Sequence, residues 1–349
     1  MKILHSADWH LDSPLQGKTP EQIRALRRAL LELPEKIAQV CLQENCQMMF
    51  LSGDLFDGAY TQESYQAVYT ALEKVNVPVF IAPGNHDFVG TNDPWLAERW
   101  PGNVHIFTRP SLTYVEVPEL GCRVYGAGFD AMDCPGLLEG FRAEGENPLC
   151  VLHADPTQVT SPYCPVTQAQ IQASGLKYLA LGHIHKGGQL RAGDTLCAWP
   201  GCPMGRGYDE LEEKGVLIAQ IGETVTARFV PLDTPRFYDW EVSLEELDAK
   251  LPPVGNENYY RITLTGESEG VDLTALAQTY SRFPNLELRD KTVRPVDLWA
   301  SVGEDSFAGT YFSLLKEQLE SAPEETKKQI LLAARISRQI LDGQEVVLP

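Results

Sequence analysis

Met48-Met49-Phe50-Leu51-Ser52-Gly53-Asp54-Leu55-Phe56-Asp57 reads as a short apolar strand that breaks at a glycine into a loop carrying two carboxylates. An unbroken apolar run of this length, closed by a turn residue, suits a strand buried on both faces. The same text recurs in both directions. Upstream, Met1 to Leu4 leads into Asp8-Trp9-His10; downstream, Val77 to Ala82 leads into Gly84-Asn85-His86-Asp87, Leu149 to Leu152 into His153, and Tyr178 to Leu181 into Gly182-His183-Ile184-His185. Five of the seven histidines fall in these loops, which makes incidental turn residues a poor account of them. Strands that end in polar loops, with helices between them, indicate a layered α/β fold whose site lies at strand ends.

The intervening text supports that architecture. Residues Pro20 to Asn45 carry Ile23, Leu26, Leu30, Leu33, Ile37 and Val40 at helical spacing, with Pro34 expected to kink or divide the segment. Gln62 to Lys74 is a second helix. Leu112 to Val117 and Arg123 to Gly126 make a strand pair, and Thr195 to Trp199, Gly215 to Ile221 and Thr224 to Val230 continue a strand-rich section. The order fits two facing sheets flanked by helices. Pro231 to Pro235 serves as a linker. Beyond it the pattern restarts as strand (Phe237 to Val242), helix (Leu244 to Leu251), strand (Tyr259 to Thr265), helix (Leu273 to Phe283) and strand (Leu286 to Thr292), followed by helical segments Phe307 to Leu319 and Glu324 to Leu341. The expected division is therefore 1–232, 236–300 and 301–349.

A net charge of −19 argues against a broad electropositive surface, so any nucleic-acid contact must be local, metal-centred or shared with a partner. The eight cysteines show no CxxC spacing and read as reduced core thiols. No apolar run approaches the roughly 20 residues that span a bilayer, and Met1 to His5 goes straight into a strand pattern without a signal peptide's apolar segment. The cytoplasm is the expected compartment, with no membrane contact.

The loop residues suit metal chemistry. On an extended segment, residues i and i+2 point the same way, which would let Asp8 and His10 approach one ion together. Asp54, at the end of a buried strand, is the candidate bridge between two ions, since two divalent metals roughly 3.5–4 Å apart can clamp a phosphate and activate a water. Asn85, His153, His183 and His185 would complete two sites of mixed oxygen and nitrogen ligands, a set that Mn²⁺, Fe²⁺ or Zn²⁺ suits better than Ca²⁺ or Mg²⁺; Mn²⁺ is the first expectation. His86, beside ligand Asn85, is placed to protonate a leaving alkoxide, with Asp87 to orient its ring. His5 is expected to pack or hydrogen-bond behind the site, and His105 to lie in a loop or at a strand edge. Asp12 is either a support for the site or a turn carboxylate. Arg206, in Gly205-Arg206-Gly207-Tyr208, either offers a guanidinium to phosphate or belongs to a surface turn.

The order DxH, GDxxD, GNHD, H and GHxH is similar to that of the calcineurin-like metallophosphoesterases, over roughly the first two thirds of the chain by the motif spacing. The fuller text His5-Ser6-Ala7-Asp8-Trp9-His10-Leu11-Asp12-Ser13-Pro14 and Ser52 to Asp57 resembles the bacterial SbcD and YhaO branch of DNA-repair exonucleases, with Leu11 to Pro14 leaning toward YhaO. This resemblance implies a four-layer αββα sandwich with a small α/β capping domain, here followed by a helical C-terminus. It implies one metal held by Asp8, His10, Asp54 and His185 and another by Asp54, Asn85, His153 and His183, with His86 acting on the phosphodiester. It also implies an SMC-like ATPase partner, and symmetric dimers are common among such proteins. Asp57 stands where the archaeal and eukaryotic branch carries a second functional histidine, so that role does not transfer, and a carboxylate just behind the ligands is expected instead.

The resulting expectation is a dinuclear-metal phosphodiesterase, a DNA exonuclease or endonuclease subunit. Its rivals are a small-molecule phosphodiesterase or phosphatase acting on a nucleotide or lipid headgroup, and a non-catalytic scaffold with the same fold.

Overall fold

The computed structural model describes residues 1–91, 93–211, 213–255, 257–343 and 346. In chain order the elements are β1 (Lys2–Ser6), α1 (Pro20–Gln43), β2 (Met48–Leu51), α2 (Gln62–Val75), β3 (Val79–Ile81), α3 (Pro94–Ala97), β4 (Val104–Ile106), β5 (Thr113–Val117), β6 (Cys122–Gly126), β7 (Pro148–His153), α4 (Gln168–Ser174), β8 (Tyr178–Gly182), β9 (Gly188–Ala192), β10 (Thr195–Trp199), β11 (Gly215–Ile221), β12 (Val225–Pro231), β13 (Phe237–Ser243), β14 (Tyr259–Thr265), α5 (Leu273–Thr279), β15 (Leu286–Asp290), α6 (Phe307–Ser321) and α7 (Glu324–Leu341). One six-stranded sheet has the order β12-β11-β1-β2-β3-β4, a second has β5-β6-β7-β8-β10-β9, and a three-stranded sheet has β13-β14-β15. β1, β2, β3 and β4 are parallel neighbours, as are β6, β7 and β8.

Side chains alternate across each strand, and the apolar runs divide accordingly. From β1, β2 and β3, Leu4, Met49, Leu51, Val79 and Ile81 pack against Leu26, Leu30 and Leu33 of α1 and Val68 and Leu72 of α2. Their neighbours Ile3, Met48, Phe50 and Phe80 turn the other way, onto Val124, Leu149, Val151 and Tyr178 of the second sheet. The far face of that sheet carries Tyr125, Cys150, Leu152, Leu179 and Cys197, covered by Ile171 of α4 and by loop residues such as Phe129 and Val166. Three apolar seams separate four layers, helix, sheet, sheet and a thin outer layer, so the part of the chain built on these two sheets is an αββα sandwich.

Local chemistry sets the helix that covers the first sheet. Thr19 accepts from Gln22 N–H while the Gln22 side chain returns to the Thr19 backbone, a reciprocal cap at the start of α1. Pro34 does not divide α1: it lies inside one continuous helix and is buried with Leu33 and Ile37, so core packing outweighs the backbone bond a proline forfeits. The N-terminus of α2 is secured by Asp12, whose carboxylate accepts from Thr61 N–H (3.2 Å) and the Ser64 hydroxyl (2.5 Å). Asp12 is thus a structural carboxylate.

Other elements differ from the sequence expectation. Leu244 to Leu251 is no α-helix; it begins with a 3-10 turn over Leu244–Glu246, because eight residues stopped by Pro252 and Pro253 are too few to propagate a helix. β9, α3 and α4 lie where no element was expected, and β4 where the reading of His105 left a loop or a strand edge open. β4 is an edge strand and contains His105, whose ring stacks on Phe80 (centroids 5.1 Å).

The chain forms two compact units. One comprises Met1–Trp240, Pro252–Ile262 and Tyr280–Glu287, and the other Glu241–Leu251, Thr263–Thr279 and Leu288–Pro349. Within the second unit α6 and α7 pack together, with Tyr311 Oη 2.9 Å from Ser337 Oγ and the Arg338 guanidinium over the fully buried Phe312 ring.

Candidate metal centre

Asp8, His10, Asp54 and His183 all take positive φ, at 56°, 47°, 52° and 85°. Each such non-glycine residue costs of order 1–3 kcal/mol, and clusters of them mark sites that the surrounding structure over-determines. The expected extended geometry for Asp8 and His10 is therefore corrected: β1 ends at Ser6, and the two side chains are delivered by tight left-handed turns. Lacing between loops holds those turns. Asp8 N–H donates to Gly53 O (3.0 Å), His10 N–H to Asp54 O (2.9 Å) and Leu11 N–H to Leu55 O (2.9 Å).

Asp87 does similar work beneath the third loop. Its Oδ1 accepts from the backbone N–H of Gly84 (2.7 Å) and Asp54 (3.1 Å), and its Oδ2 from Leu55 (2.7 Å) and Phe56 (3.3 Å). A carboxylate occupied by four amides does not orient the His86 ring, so that expectation is withdrawn. The ring is held by Asp57, whose Oδ1 is 2.6 Å from His86 Nδ1.

The loops bring the donor atoms together. Asp54 Oδ2 lies 3.4 Å from His153 Nε2 and 3.8 Å from His10 Nε2, which puts one carboxylate oxygen between two histidines. His153 Nε2 is 2.9 Å from Asn85 Oδ1, while its Nδ1 donates to Ser52 O (2.9 Å). His10 Nε2 and His185 Nε2 face each other at 3.1 Å. Asp8 Oδ1 accepts the His183 N–H (3.0 Å), yet among the described residues its Oδ2 is buried without a hydrogen-bond partner, and so is His10 Nδ1, which stands 3.9 Å from Asp57 Oδ1. Buried polar atoms are rarely left bare in a native fold. A bare carboxylate oxygen beside clustered imidazole nitrogens is what ligands of a cation leave when only protein atoms are counted. Asp8 with His10 and His185, and Asp8 with Asp54 and His153, are each close enough to share one ion. The residues fit a metal centre.

Comparison with known proteins decides the family. Residues 1–187 match the calcineurin-like phosphoesterase family over more than half of the chain. This chain belongs to the calcineurin-like phosphoesterases. Among curated proteins it is 30% identical over 239 residues to the uncharacterized metallophosphoesterase YhaO of Bacillus subtilis, covering 63% of this chain and 57% of that protein. It is 22% identical over 284 residues to the SbcD component of the nuclease SbcCD from the same organism, covering 67% of this chain and 70% of that one. The chain thus spans a little over half the length of the first of these relatives. Among solved structures, a dimetal phosphatase from Danio rerio aligns with 15% identity and a TM-score of 0.45, over 67% of this chain and 98% of that one.

Calcineurin-like phosphoesterases are dinuclear-metal hydrolases, and the electrostatics here suit that chemistry. Burial, reinforced by the neighbouring Asp87 and Asp8 charges, pushes Asp54 well above the usual carboxylate range. Burial likewise lifts Asp8 to about 6, and it lifts Asp87 to about 6 even though four backbone N–H groups pull it down. The imidazoles of His10, His153 and His183 are held below their ordinary value, chiefly by burial, and so are kept as neutral potential ligands. Buried carboxylates that resist ionisation together gain most from a nearby cation.

Two residues of the site escaped the motif reading. Glu210 is buried, with Oε1 2.8 Å from His185 Nδ1 and 2.6 Å from Arg206 Nη2. Arg206 is accordingly turned inward, with Nη1 3.9 Å from Asp57 Oδ2. Asp155 has Oδ2 3.9 Å from His183 Nε2. Asp155 had a signal that went unread, its place just past the Leu149 to Leu152 run and two residues after His153; the only sequence signal for Glu210 is its place four residues after Arg206. His5 lies fully buried behind the centre, with Nδ1 2.8 Å from Tyr178 Oη and Nε2 3.0 Å from Ser52 Oγ.

Proposed function

We propose that this chain is a dinuclear-metal phosphodiesterase that hydrolyses DNA, working as a nuclease subunit in repair. The observation that carries the reading is the Asp54 carboxylate between His10 and His153, the arrangement a shared ligand needs. Asp8, His10, Asp54 and His185 would hold one ion and Asp54, Asn85, His153 and His183 the other, with Mn²⁺ preferred over Fe²⁺ or Zn²⁺. When bound, such a pair supplies an activated water and offsets charge on the phosphate.

The chain's own residues do the rest. Asp87 fixes the Gly84 and Asp54 backbones, and the Gly53, Gly84 and Gly182 turns let backbone approach the donor cluster closely. His86 has its Nδ1 on Asp57, which leaves Nε2 to give a proton to the departing sugar oxygen. Support for a DNA substrate comes from the similarity to a protein named as part of a nuclease. The charge of −19 implies that DNA affinity is supplied in part by a partner, which we take to be an SMC-like ATPase, with the 236–300 segment capping the 1–232 domain and 301–349 available to a partner or a second copy. Among the described residues no helix is long and apolar enough to cross a membrane; we place the protein in the cytoplasm.

The same charge favours a second reading, a phosphodiesterase of small nucleotides or lipid headgroups. Mn²⁺-dependent cleavage of end-labelled linear DNA and of a chromogenic diester, by the wild type and His86→Ala, separates them. DNA cutting by the wild type alone supports the nuclease reading. Hydrolysis of only the small diester supports the second, and inactivity on both shifts weight to a non-catalytic scaffold.

A further inference from the structure

Four polar contacts converge on the buried Glu210 carboxylate. Oε1 accepts from His185 Nδ1 (2.8 Å) and Arg206 Nη2 (2.6 Å), and Oε2 accepts from the Arg206 backbone N–H (2.8 Å) and Nε (3.2 Å). A carboxylate that takes the Nδ1 proton fixes an imidazole in the tautomer whose Nε2 lone pair is bare. In His185 that Nε2 is the atom 3.1 Å from His10 Nε2, so the lone pair faces the donor cluster. The other arm runs outward: Arg206 Nη1 is 3.9 Å from Asp57 Oδ2, and Asp57 Oδ1 is 2.6 Å from His86 Nδ1.

We infer that Glu210 is a positioning residue that sets the metal-facing tautomer of His185 and, through Arg206 and Asp57, the stance of His86. The inference rests on the dinuclear reading above and names a residue outside its eight ligand and proton-transfer positions. Charge as well as geometry is involved. Arg206 Nη2 stands 3.4 Å from His185 Nδ1, so without Glu210 its cation would be left with the longer Asp57 contact beside a ligand and would oppose an incoming metal ion.

The test reads metal binding directly. The full chain is stripped with chelator and titrated with Mn²⁺ by calorimetry and with Co²⁺ by visible absorption, in the wild type, Glu210→Gln, Glu210→Ala and the double variant Glu210→Ala/Arg206→Met, with thermal unfolding of each metal-free form as the folding control. Glu210→Ala should weaken Mn²⁺ binding about 10–100-fold and shift the Co²⁺ bands. Glu210→Gln, which keeps an acceptor but loses the charge, should fall between, and the double variant should recover part of the loss. Mn²⁺ affinity within about threefold of wild type in Glu210→Ala, with an unchanged Co²⁺ spectrum, overturns the inference. If Glu210→Ala does not fold, the isosteric Glu210→Gln decides by the same criteria. A wild type that binds Mn²⁺ yet hydrolyses no diester sinks the phosphodiesterase reading alone; one that takes up neither ion overturns both.

Discussion

Asp57 Oδ1 sits 2.6 Å from His86 Nδ1, while Asp87, the next residue after His86, is committed to four backbone amides. The imidazoles of His10 and His86 hold the Asp57 carboxyl well below its ordinary range, so it is an ionised acceptor for the Nδ1 proton. Two carboxylates on either side of one catalytic candidate therefore carry separable roles. Asp57→Asn should lower kcat roughly 10–100-fold with KM and Mn²⁺ stoichiometry near wild type. Steady-state kinetics with metal analysis check this, and an unchanged kcat would remove Asp57 from the reaction.

Asp87→Ala should act on the fold. Four buried N–H groups would lose their acceptor, and each unsatisfied donor costs about 1–3 kcal/mol, so a loss of at least about 3 kcal/mol is expected in urea unfolding of the metal-free protein. A loss below about 1 kcal/mol would mean that water or relaxation replaces the carboxylate.

Gly84→Ala should empty the centre without backbone strain at that position. An added Cβ would lie 2.7 Å from His153 Nδ1 and closer still to Asp54 Oδ1, and neither can yield without moving a donor atom. Calorimetry should show Mn²⁺ affinity reduced at least about tenfold, the scale of lost ligand support; tight binding in the variant would show that the loop relaxes freely.

Metal removal should cost stability. A cation that binds only the folded chain adds about 2.7 kcal/mol when present at 100 times its Kd, so chelation should lower Tm and Mn²⁺ restore it in proportion to the logarithm of its concentration. A Tm indifferent to both would contradict a centre built from Asp8, Asp54 and the histidines.

His5 should give the protein an acid-sensitive limb. Burial pushes its imidazole from 6.5 down to about 3. Between those values the unfolded chain takes up a proton that the folded chain refuses, so stability is complete above about pH 6.5 and falls as pH drops toward 3, by up to about 1.4 kcal/mol per unit. His5→Gln, which cannot titrate, should flatten that limb relative to wild type in unfolding experiments between pH 4 and 6.5. Parallel limbs would assign the acid sensitivity elsewhere.

What the sequence by itself determined follows from short-range physics. Short apolar runs that break into polar loops located β1, β2, β3, β7 and β8, because a strand buried on both faces must be apolar throughout. The ligand candidates were legible because each sits just past such a run. Elements with weaker texts were not: β9 alternates half-exposed and exposed residues along most of its length, and α4 buries only Ile171 and Ser174. Tertiary structure alone decided who touches whom. Asp57 reaches His86 across 29 positions and Glu210 reaches His185 across 25, and no local period encodes such pairings. It also decided the left-handed turns at Asp8, His10 and Asp54, since a strained φ persists only where long-range hydrogen bonds, here from Asp8 and His10 N–H to the Gly53 and Asp54 carbonyls, outweigh the local preference.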